Sequence, residues 1–314
     1  MEQKFLISDY DDTITKGSEP TFALVCEAVL GTEEYQRIRK LPKNLGIDWF
    51  TRYIKEDLLT KEKAETLWEN FKNTKPYQMF INAGKQKINE ILEKGENMPS
   101  TDVAKFLVEE LLFPLIAFYN VHVEKLEPQE SFFELYEKSK TAGDILIINT
   151  FKPHKIIITE LQEYVKLNKE KYAIFEEMIN NEMVFGTTPE SCKADSNRVD
   201  FLLKTKQPLL KTPTQEIIVM GDSFSDCVNF QEAYKINPNS KFLFVNERLE
   251  NEIENVTEKA NELIEHIDEL EKATNKLKYL KGDLNKINEQ TAKTPNNIKR
   301  INYANIVEEI YGRA

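Results

Sequence analysis

Three carboxylates follow two apolar runs, and their positions are the first sign of chemistry in this chain. Asp9 and Asp11 follow the run at residues 4–8, and Asp222 follows the run at residues 216–220. One aspartate can attack an electrophile while a neighbouring carboxylate transfers the proton. Aspartate oxygens are also ligands that Mg²⁺ prefers. These positions predict nucleophilic and acid–base chemistry beside a metal, with turn residues as the plainer alternative.

The first acidic segment reads Asp-x-Asp-x-Thr, with Asp9, Asp11 and Thr13 at its named positions. Residues two apart on an extended strand point to the same face of the sheet. Both carboxylates can therefore reach one site, and we expect the backbone to turn into a loop directly after the strand. One of them can then attack phosphorus while the other handles the proton.

The second acidic segment reads Gly-Asp-x-x-x-Asp and contains Gly221, Asp222 and Asp226. An aspartate at a strand tip with a second one four residues later suits a direct Mg²⁺ ligand and a residue that supports it. Aspartate and serine are also favoured at helix N-termini, so a helix cap is the alternative for this segment.

Four apolar runs predict the strands that position these side chains, at residues 4–8, 144–150, 216–222 and 241–245. Helical patterns separate the later runs, and this alternation predicts right-handed crossovers and a parallel sheet. Ligands bind at the carboxyl ends of the strands in such sheets. The polar residues that end the runs are therefore expected to converge on one site.

The alternation is interrupted by one long segment of almost purely helical periodicity. Residues 17–120 are predicted to form this inserted helical domain. The catalytic core is then expected to comprise residues 1–16 and 121–250.

The remaining residues, 251–314, are predicted to form a helical C-terminal extension. Apolar residues from Ile253 to Leu277 recur in alternating steps of three and four, and Gly282 is expected to cap this helix. A helix packed on its own core is the preferred interpretation of the stripe. A dimerising coiled coil, and hence a homodimer, is the alternative.

Taken in this order, the segments resemble the four motifs of the haloacid dehalogenase superfamily. The resemblance covers residues 1–16 and about 121–246. The segments ISDYDDTIT and GDSFSD are similar to those of the phosphoserine phosphatase-like and pyrimidine nucleotidase-like branches. The resemblance implies an α/β fold with a Rossmann-like parallel sheet and a helical cap. It also implies a hydrolase, a Mg²⁺-dependent phosphatase acting on a small phosphate monoester.

The resemblance also implies a role for each site residue. Asp9 would be the nucleophile that forms an aspartyl-phosphate, and Asp11 would be the general acid and base. Thr150 would donate a hydrogen bond to a phosphoryl oxygen, and Lys193 would neutralise charge on Asp9 and the phosphoryl group. The implied magnesium ligands are the Asp9 carboxylate, the Asp11 backbone carbonyl and Asp222, with Asp226 in support.

Two of these assignments have neighbours that compete for the same role. Lys193 is preferred because it precedes Asp195 and Ser196, expected caps of the next helix. The other candidates for its role are Lys152, Lys204 and Lys206. Asn149 could share the role of Thr150.

Two departures from the family pattern stand beside the site residues. Asp12 occupies a position where many relatives have a small residue. Phe151 and Lys152 follow Thr150 where small, glycine-rich neighbours are frequent. The phosphate-binding loop is therefore expected to be bulkier or more positive than usual.

The amino-acid composition restricts the classes of partner that are expected. The 53 Asp+Glu outnumber the 42 Lys+Arg, and the net charge of −11 opposes binding to nucleic acids and anionic membranes. A small phosphorylated metabolite is the expected partner, because a bound cation can reverse the potential of one pocket. Three scattered cysteines and the absence of a secretory signal pattern predict a cytoplasmic location.

Two other functions would use the same sequence features. A phosphomutase or phosphotransferase would keep every motif and differ only in protecting the aspartyl-phosphate from water. A non-catalytic scaffold would dimerise through residues 250–281.

Overall fold

The computed structural model describes residues 3–15, 113–122, 125–188, 191, 193, 195–209, 216–245, 253–254, 256–257 and 267–312. Residues 17–112 of the predicted cap lie outside the described residues. No helix in the described ranges is long and apolar enough to cross a membrane.

The strands of the described ranges form one sheet in the order β3-β2-β1-β4-β5-β6. Their bounds are β1 Lys4–Ser8, β2 Ile145–Pro153, β3 Val184–Thr187, β4 Glu216–Gly221, β5 Lys241–Val245 and β6 Ile298–Ile301. Strand β1 pairs in parallel with β2 and β4, and β5 pairs in parallel with β4 and β6. The predicted α/β fold with a parallel sheet is confirmed.

Helices and short 3₁₀ turns separate the strands. The α-helices are α1 Phe113–His122, α2 Glu130–Ala142, α3 His154–Leu167, α4 Ala173–Asn180, α5 Arg198–Lys206, α6 Phe224–Ile236, α7 Ile267–Lys293 and α8 Ile306–Tyr311. The 3₁₀ turns are Gln207–Leu209 and Tyr303–Asn305. Helix α2 precedes β2 and helix α5 precedes β4, in line with the predicted alternation of helices and strands.

The central strands are buried because they have neighbours on both sides and helices on their faces. Leu6, Val219 and Phe242 are each at most 1% exposed. Continuous apolar runs are typical of such strands, since neither face meets water. The three runs at residues 4–8, 216–221 and 241–245 lie where the sequence predicted strands.

Two strands were not predicted from the sequence. Strand β3 has four residues, and β6 has the sequence IKRI with only its two outer residues buried. Both lie at the edges of the sheet. Short and charged edge strands are common, because they protect the sheet from pairing with other chains, but they leave a weak hydrophobic signal.

The predicted helix end at Gly282 was wrong. Helix α7 runs through this residue to Lys293. Leu280 and Ile287 are both buried, so apolar packing continues on either side of the glycine. This packing outweighs the intrinsic helix penalty of glycine, about 1 kcal/mol.

The chain divides into two compact units. The first comprises Met1–Lys16, Pro128–Asn149 and Ala194–Ala314, and the second comprises Gly17–Glu127 and Thr150–Lys193. The segment 150–193 thus groups with the second unit, whereas the sequence analysis assigned it to the core.

The second unit buries charged groups in pairs. Helix α1 packs against α3. The Asn120 amide donates to Glu160 Oε2 at 2.9 Å, and Lys152 Nζ lies 3.0 Å from the same oxygen. Glu163 Oε2 lies 3.0 Å from His122 Nε2. Pairing compensates for the loss of hydration when a charge is buried.

The C-terminal residues complete the first unit. Strand β6 covers the edge of β5. Lys4 Nζ donates to the Ile310 carbonyl at 2.8 Å, and the Tyr311 hydroxyl donates to Asp144 Oδ2 at 2.7 Å. The end of the chain is therefore tied to the start of β1 and to the residue before β2.

Deletion of residues 296–314 is expected to cause aggregation or a large loss of stability, because it leaves the edge of β5 unpaired. Soluble yield, size-exclusion chromatography and thermal melting would measure the effect. Lys299→Ala is the control, since it removes only a surface ion pair with Glu309. A monomeric truncated chain with an unchanged melting temperature would contradict the expectation.

Candidate active site

Asp9 stands directly after β1 and is held by backbone contacts. Its N–H donates to the Met220 carbonyl at 2.9 Å, which extends the pairing with β4 by one residue. The Tyr10 N–H donates to Asp9 Oδ1 at 2.8 Å. The residue is 7% exposed. The carboxylate is therefore oriented by the backbone that carries it.

A tight turn follows Asp9, where the sequence predicted a loop. The N–H groups of Ile14 and Thr15 donate to the Tyr10 carbonyl at 2.9 and 3.0 Å. Asp12 has a φ of 58°, in the left-handed region. Aspartate tolerates this conformation better than most residues. The turn also contains the half-buried Asp11.

The second acidic segment joins β4 to α6. Ser223 is the N-cap of α6 and forms a capping box with Asp226. The Ser223 N–H and hydroxyl donate to Asp226 Oδ2 at 3.2 and 2.7 Å. The alternative interpretation of this segment as a helix cap is therefore correct for one oxygen of Asp226. It does not exclude a metal-binding role for the same carboxylate.

Gly221 allows the first turn of α6 to approach the end of β4. A Cβ atom at this position would lie 2.0 Å from Asp226 Cγ and 2.3 Å from Asp226 Oδ2. The side chain of Asp226 is itself buried, so it has little space to move. The glycine is thus required by the close approach of the carboxylate.

The tips of β1 and β4 bring three carboxylates together. One oxygen each of Asp9, Asp222 and Asp226 lies within 4.8 Å of the others. Asp9 and Asp226 are buried, and Asp222 is half-buried. Like charges this close repel each other strongly when water is excluded. A hard divalent cation such as Mg²⁺ fits this donor set of carboxylate oxygens.

Cys227 directly follows Asp226 of the carboxylate cluster, but its thiol is not suited to bind a metal. Burial raises the pKa of its thiol to about 12, and the charge of Asp226 contributes to the increase. The thiol is therefore protonated at neutral pH, whereas metal binding and nucleophilic attack need the thiolate.

Thr150 and Lys193 both belong to the second unit. Thr150 lies in β2, which continues to Pro153, and its Oγ1 accepts from the Lys152 N–H at 3.1 Å. Lys193 is 1% exposed, with Nζ 5.5 Å from the centroid of the Phe151 ring. An aromatic face stabilises a desolvated ammonium group. The predicted roles of Thr150 and Lys193 remain predictions.

The alternative lysines differ from Lys193 in their surroundings. Lys152 pairs with Glu160, and Lys204 pairs with Asp200 at 2.6 Å on the surface. Lys206 is buried near the end of α5.

Arg198 is a residue that the sequence analysis missed. It is 1% exposed, and its Nε donates to Asn149 Oδ1 at 2.9 Å. Arginine is rarely buried, so nothing in its local sequence distinguishes it from a surface residue. Only its position in the fold identifies it as a neighbour of Asn149, which precedes Thr150 in β2.

No family model matches this chain, and no curated protein matches it. Among solved structures, the chain is similar to a phosphoserine phosphohydrolase-like protein from Francisella tularensis subsp. tularensis SCHU S4. The identity is 15%, over 78% of this chain and 88% of that chain, with a TM-score of 0.33. A structural similarity this low does not support a conclusion about this chain. The fold is established by the order and pairing of its strands.

Proposed function

We propose that this protein is a Mg²⁺-dependent phosphatase that hydrolyses a small-molecule phosphate monoester through an aspartyl-phosphate at Asp9. The observation that carries the proposal is the convergence of Asp9, Asp222 and Asp226 within 4.8 Å. Asp9 and Asp222 follow two adjacent parallel strands, and Asp226 lies in the first turn of the helix after the second strand. Ligands bind at this end of the strands in sheets of this kind. The sequence motifs on the same two tips support phosphoryl transfer as the reaction.

In the first half of the reaction, a carboxylate oxygen of Asp9 attacks phosphorus and forms a phosphorus–oxygen bond as the bond to the leaving alkoxide breaks. Asp11 gives its proton to that alkoxide. In the second half, water attacks phosphorus, Asp11 takes the proton from the water, and the Asp9 carboxylate is released with inorganic phosphate. Asp11 loses one proton in the first half and regains one in the second, so the site returns to its starting state.

The cation would be held by the Asp9 carboxylate, the Asp11 backbone carbonyl and Asp222, with Asp226 in support. When bound, it supplies positive charge that stabilises the phosphoryl oxygens and offsets the repulsion within the cluster. Thr150 would donate to a phosphoryl oxygen, and Lys193 would add a second positive charge. Residues 17–120 would form the lid that excludes water and selects the leaving group.

A non-catalytic scaffold is a weaker second candidate. Three carboxylates within 4.8 Å destabilise a fold that binds no cation, and a scaffold would have no reason to retain them. A phosphomutase or phosphotransferase would use the same cluster and is distinguished only by its products.

Turnover of a panel of phosphorylated metabolites is expected to require Mg²⁺ and to be inhibited by Ca²⁺. The larger Ca²⁺ accepts bidentate carboxylates and would occupy the nucleophile, whereas Mg²⁺ enforces a small octahedron. Released phosphate is measured with Mg²⁺, with Ca²⁺ and with EDTA. Equal turnover in EDTA would contradict a metal-dependent mechanism.

The same panel separates the three functions. Release of inorganic phosphate indicates a phosphatase, and phosphate recovered at a new position of the substrate indicates a mutase. Inactivity towards every ester, together with dimerisation, would favour the scaffold.

A further inference from the structure

Arg198 occupies a position that helix stability does not explain. It is the first residue of α5, where the helix dipole disfavours a positive charge. It is also 1% exposed, and a guanidinium group remains protonated when it is buried. Both effects oppose a cation at this position, so specific contacts must compensate for them.

The first of these contacts leads to α6 through two asparagines. Arg198 Nε donates to Asn149 Oδ1 at 2.9 Å, and Asn149 Nδ2 donates to Asn229 Oδ1 at 3.4 Å. Asn149 and Asn229 are 1% and 2% exposed. The network therefore joins the start of α5, the part of β2 that precedes Thr150 and the middle of α6 in a region without solvent.

The network continues to the carboxylate cluster. Asn229 Nδ2 donates to the Ser225 carbonyl at 3.0 Å, and the hydroxyls of Ser225 and Ser223 are 2.6 Å apart. The Ser223 hydroxyl donates to Asp226 Oδ2 at 2.7 Å. These hydrogen bonds thus link Arg198, residue by residue, to one of the three clustered carboxylates.

A second connection holds the start of α5 against α6. The N–H groups of Val199 and Asp200 donate to Glu232 Oε2 and Oε1 at 2.9 and 3.1 Å. Glu232 belongs to α6 and caps the first turn of α5. This contact holds the backbone of the two residues that follow Arg198 against α6.

We propose that Arg198 is a positioning residue for metal binding, which holds Asn149 and the first turn of α6 so that Asp226 keeps its place in the cluster. This inference rests on the proposed function and names a residue that controls the same site. Arginine suits the role because its planar group keeps a fixed direction, which the flexible ammonium of lysine does not. Through Asn149, the same contact also constrains the backbone that leads into Thr150.

The test compares Arg198→Met, Arg198→Lys and the control Arg300→Met. Methionine keeps much of the volume and removes the donors, whereas lysine keeps the charge. Arg300 also donates to an asparagine, Asn288, but on the exposed surface of the same unit. Calorimetric Mg²⁺ affinity, kcat, KM and melting without metal are measured for each variant.

Arg198→Met is expected to weaken Mg²⁺ binding and lower kcat by about tenfold each, the usual effect of removing a residue that orients a metal ligand. KM for the ester is expected to change little, because Arg198 does not contact substrate. Arg198→Lys should recover part of the affinity, and Arg300→Met should match the parent protein. A residue with a purely structural role would lower the melting temperature and leave the Mg²⁺ affinity of the folded protein unchanged.

Unchanged Mg²⁺ affinity in folded Arg198→Met would overturn the inference. If that variant does not fold, Asn229→Ala breaks the same network without leaving an unpaired charge, and unchanged affinity there has the same meaning. If the parent protein hydrolyses no ester but binds Mg²⁺, and Arg198→Met weakens that binding, the proposed function fails while the positioning role stands.

Discussion

Replacement of Asp9 by asparagine is expected to abolish phosphate release and to leave no phosphate on the protein. The amide lacks the negatively charged oxygen that attacks phosphorus, but it keeps an acceptor for the Tyr10 N–H, which lies 2.8 Å from Oδ1. The change also removes one of three negative charges within 4.8 Å. The variant should therefore melt at or above the temperature of the parent in the absence of metal, so that loss of activity reports on chemistry.

Asp11→Asn is expected to stop turnover at a different point. Attack by Asp9 remains possible, but protonation of the leaving alkoxide and activation of water are lost, a contribution of about 10²–10⁴-fold in general acid–base catalysis. An activated aryl phosphate has a good leaving group and needs little protonation. The Asp11 variant should therefore phosphorylate itself slowly from such a substrate and then stall.

Rapid quenching followed by peptide mass analysis distinguishes the two variants. Phosphate is expected on the peptide that contains Asp9 in Asp11→Asn and on no peptide in Asp9→Asn. Asp200→Asn is the matched control, because this half-exposed carboxylate pairs with Lys204 on the surface. Phosphate on another residue, or normal turnover by Asp9→Asn, would contradict the mechanism.

Gly221→Ala is expected to damage both stability and metal binding. The added Cβ would lie 2.0 Å from Asp226 Cγ, so either the carboxylate or the backbone of β4 must move. Such overpacking costs about 1–3 kcal/mol, and loss of the Ser223–Asp226 cap adds about 1 kcal/mol. Displacement of Asp226 should also weaken Mg²⁺ binding by about tenfold or more, as for other changes beside a metal ligand.

Gly282→Ala provides the control for this prediction. It is the same substitution in the same unit, but a Cβ at position 282 would meet nothing within 4 Å. Because Gly282 lies inside α7, alanine should stabilise the protein by about 1 kcal/mol. Thermal melting and Mg²⁺ calorimetry measure both variants. If Gly221→Ala melted and bound Mg²⁺ like the parent, the close approach at Gly221 would not matter for the site.

Sequence alone was sufficient where the signal is local. The buried runs at 4–8, 216–221 and 241–245 are continuous and apolar because central parallel strands meet no water on either face. The loop expected after Asp9 is present as a tight turn, and Asp12 occupies its left-handed position. The carboxyl ends of adjacent parallel strands meet at one edge, which explains why Asp9 and Asp222 could be assigned to one site.

Only the tertiary structure decided the features that depend on distant partners. Strand β6 has two exposed charged residues in four and becomes a strand because β5 offers an edge. Helix α7 passes Gly282 because buried residues on both sides outweigh a local preference. The boundary between the two units also falls inside β2, after Asn149, where the strand itself continues without a break.

The difference between what the sequence and what the tertiary structure determines is largest for the charged residues. Sequence identified the aspartates because their types and spacing suit the chemistry, and it selected Lys193 by its place before a helix. It could not identify Arg198, since burial of a charge depends on partners such as Asn149, which is 49 residues away. Local sequence determines which side chains a strand tip presents, whereas the free energy of burying a charge is determined by contacts that only the folded chain creates.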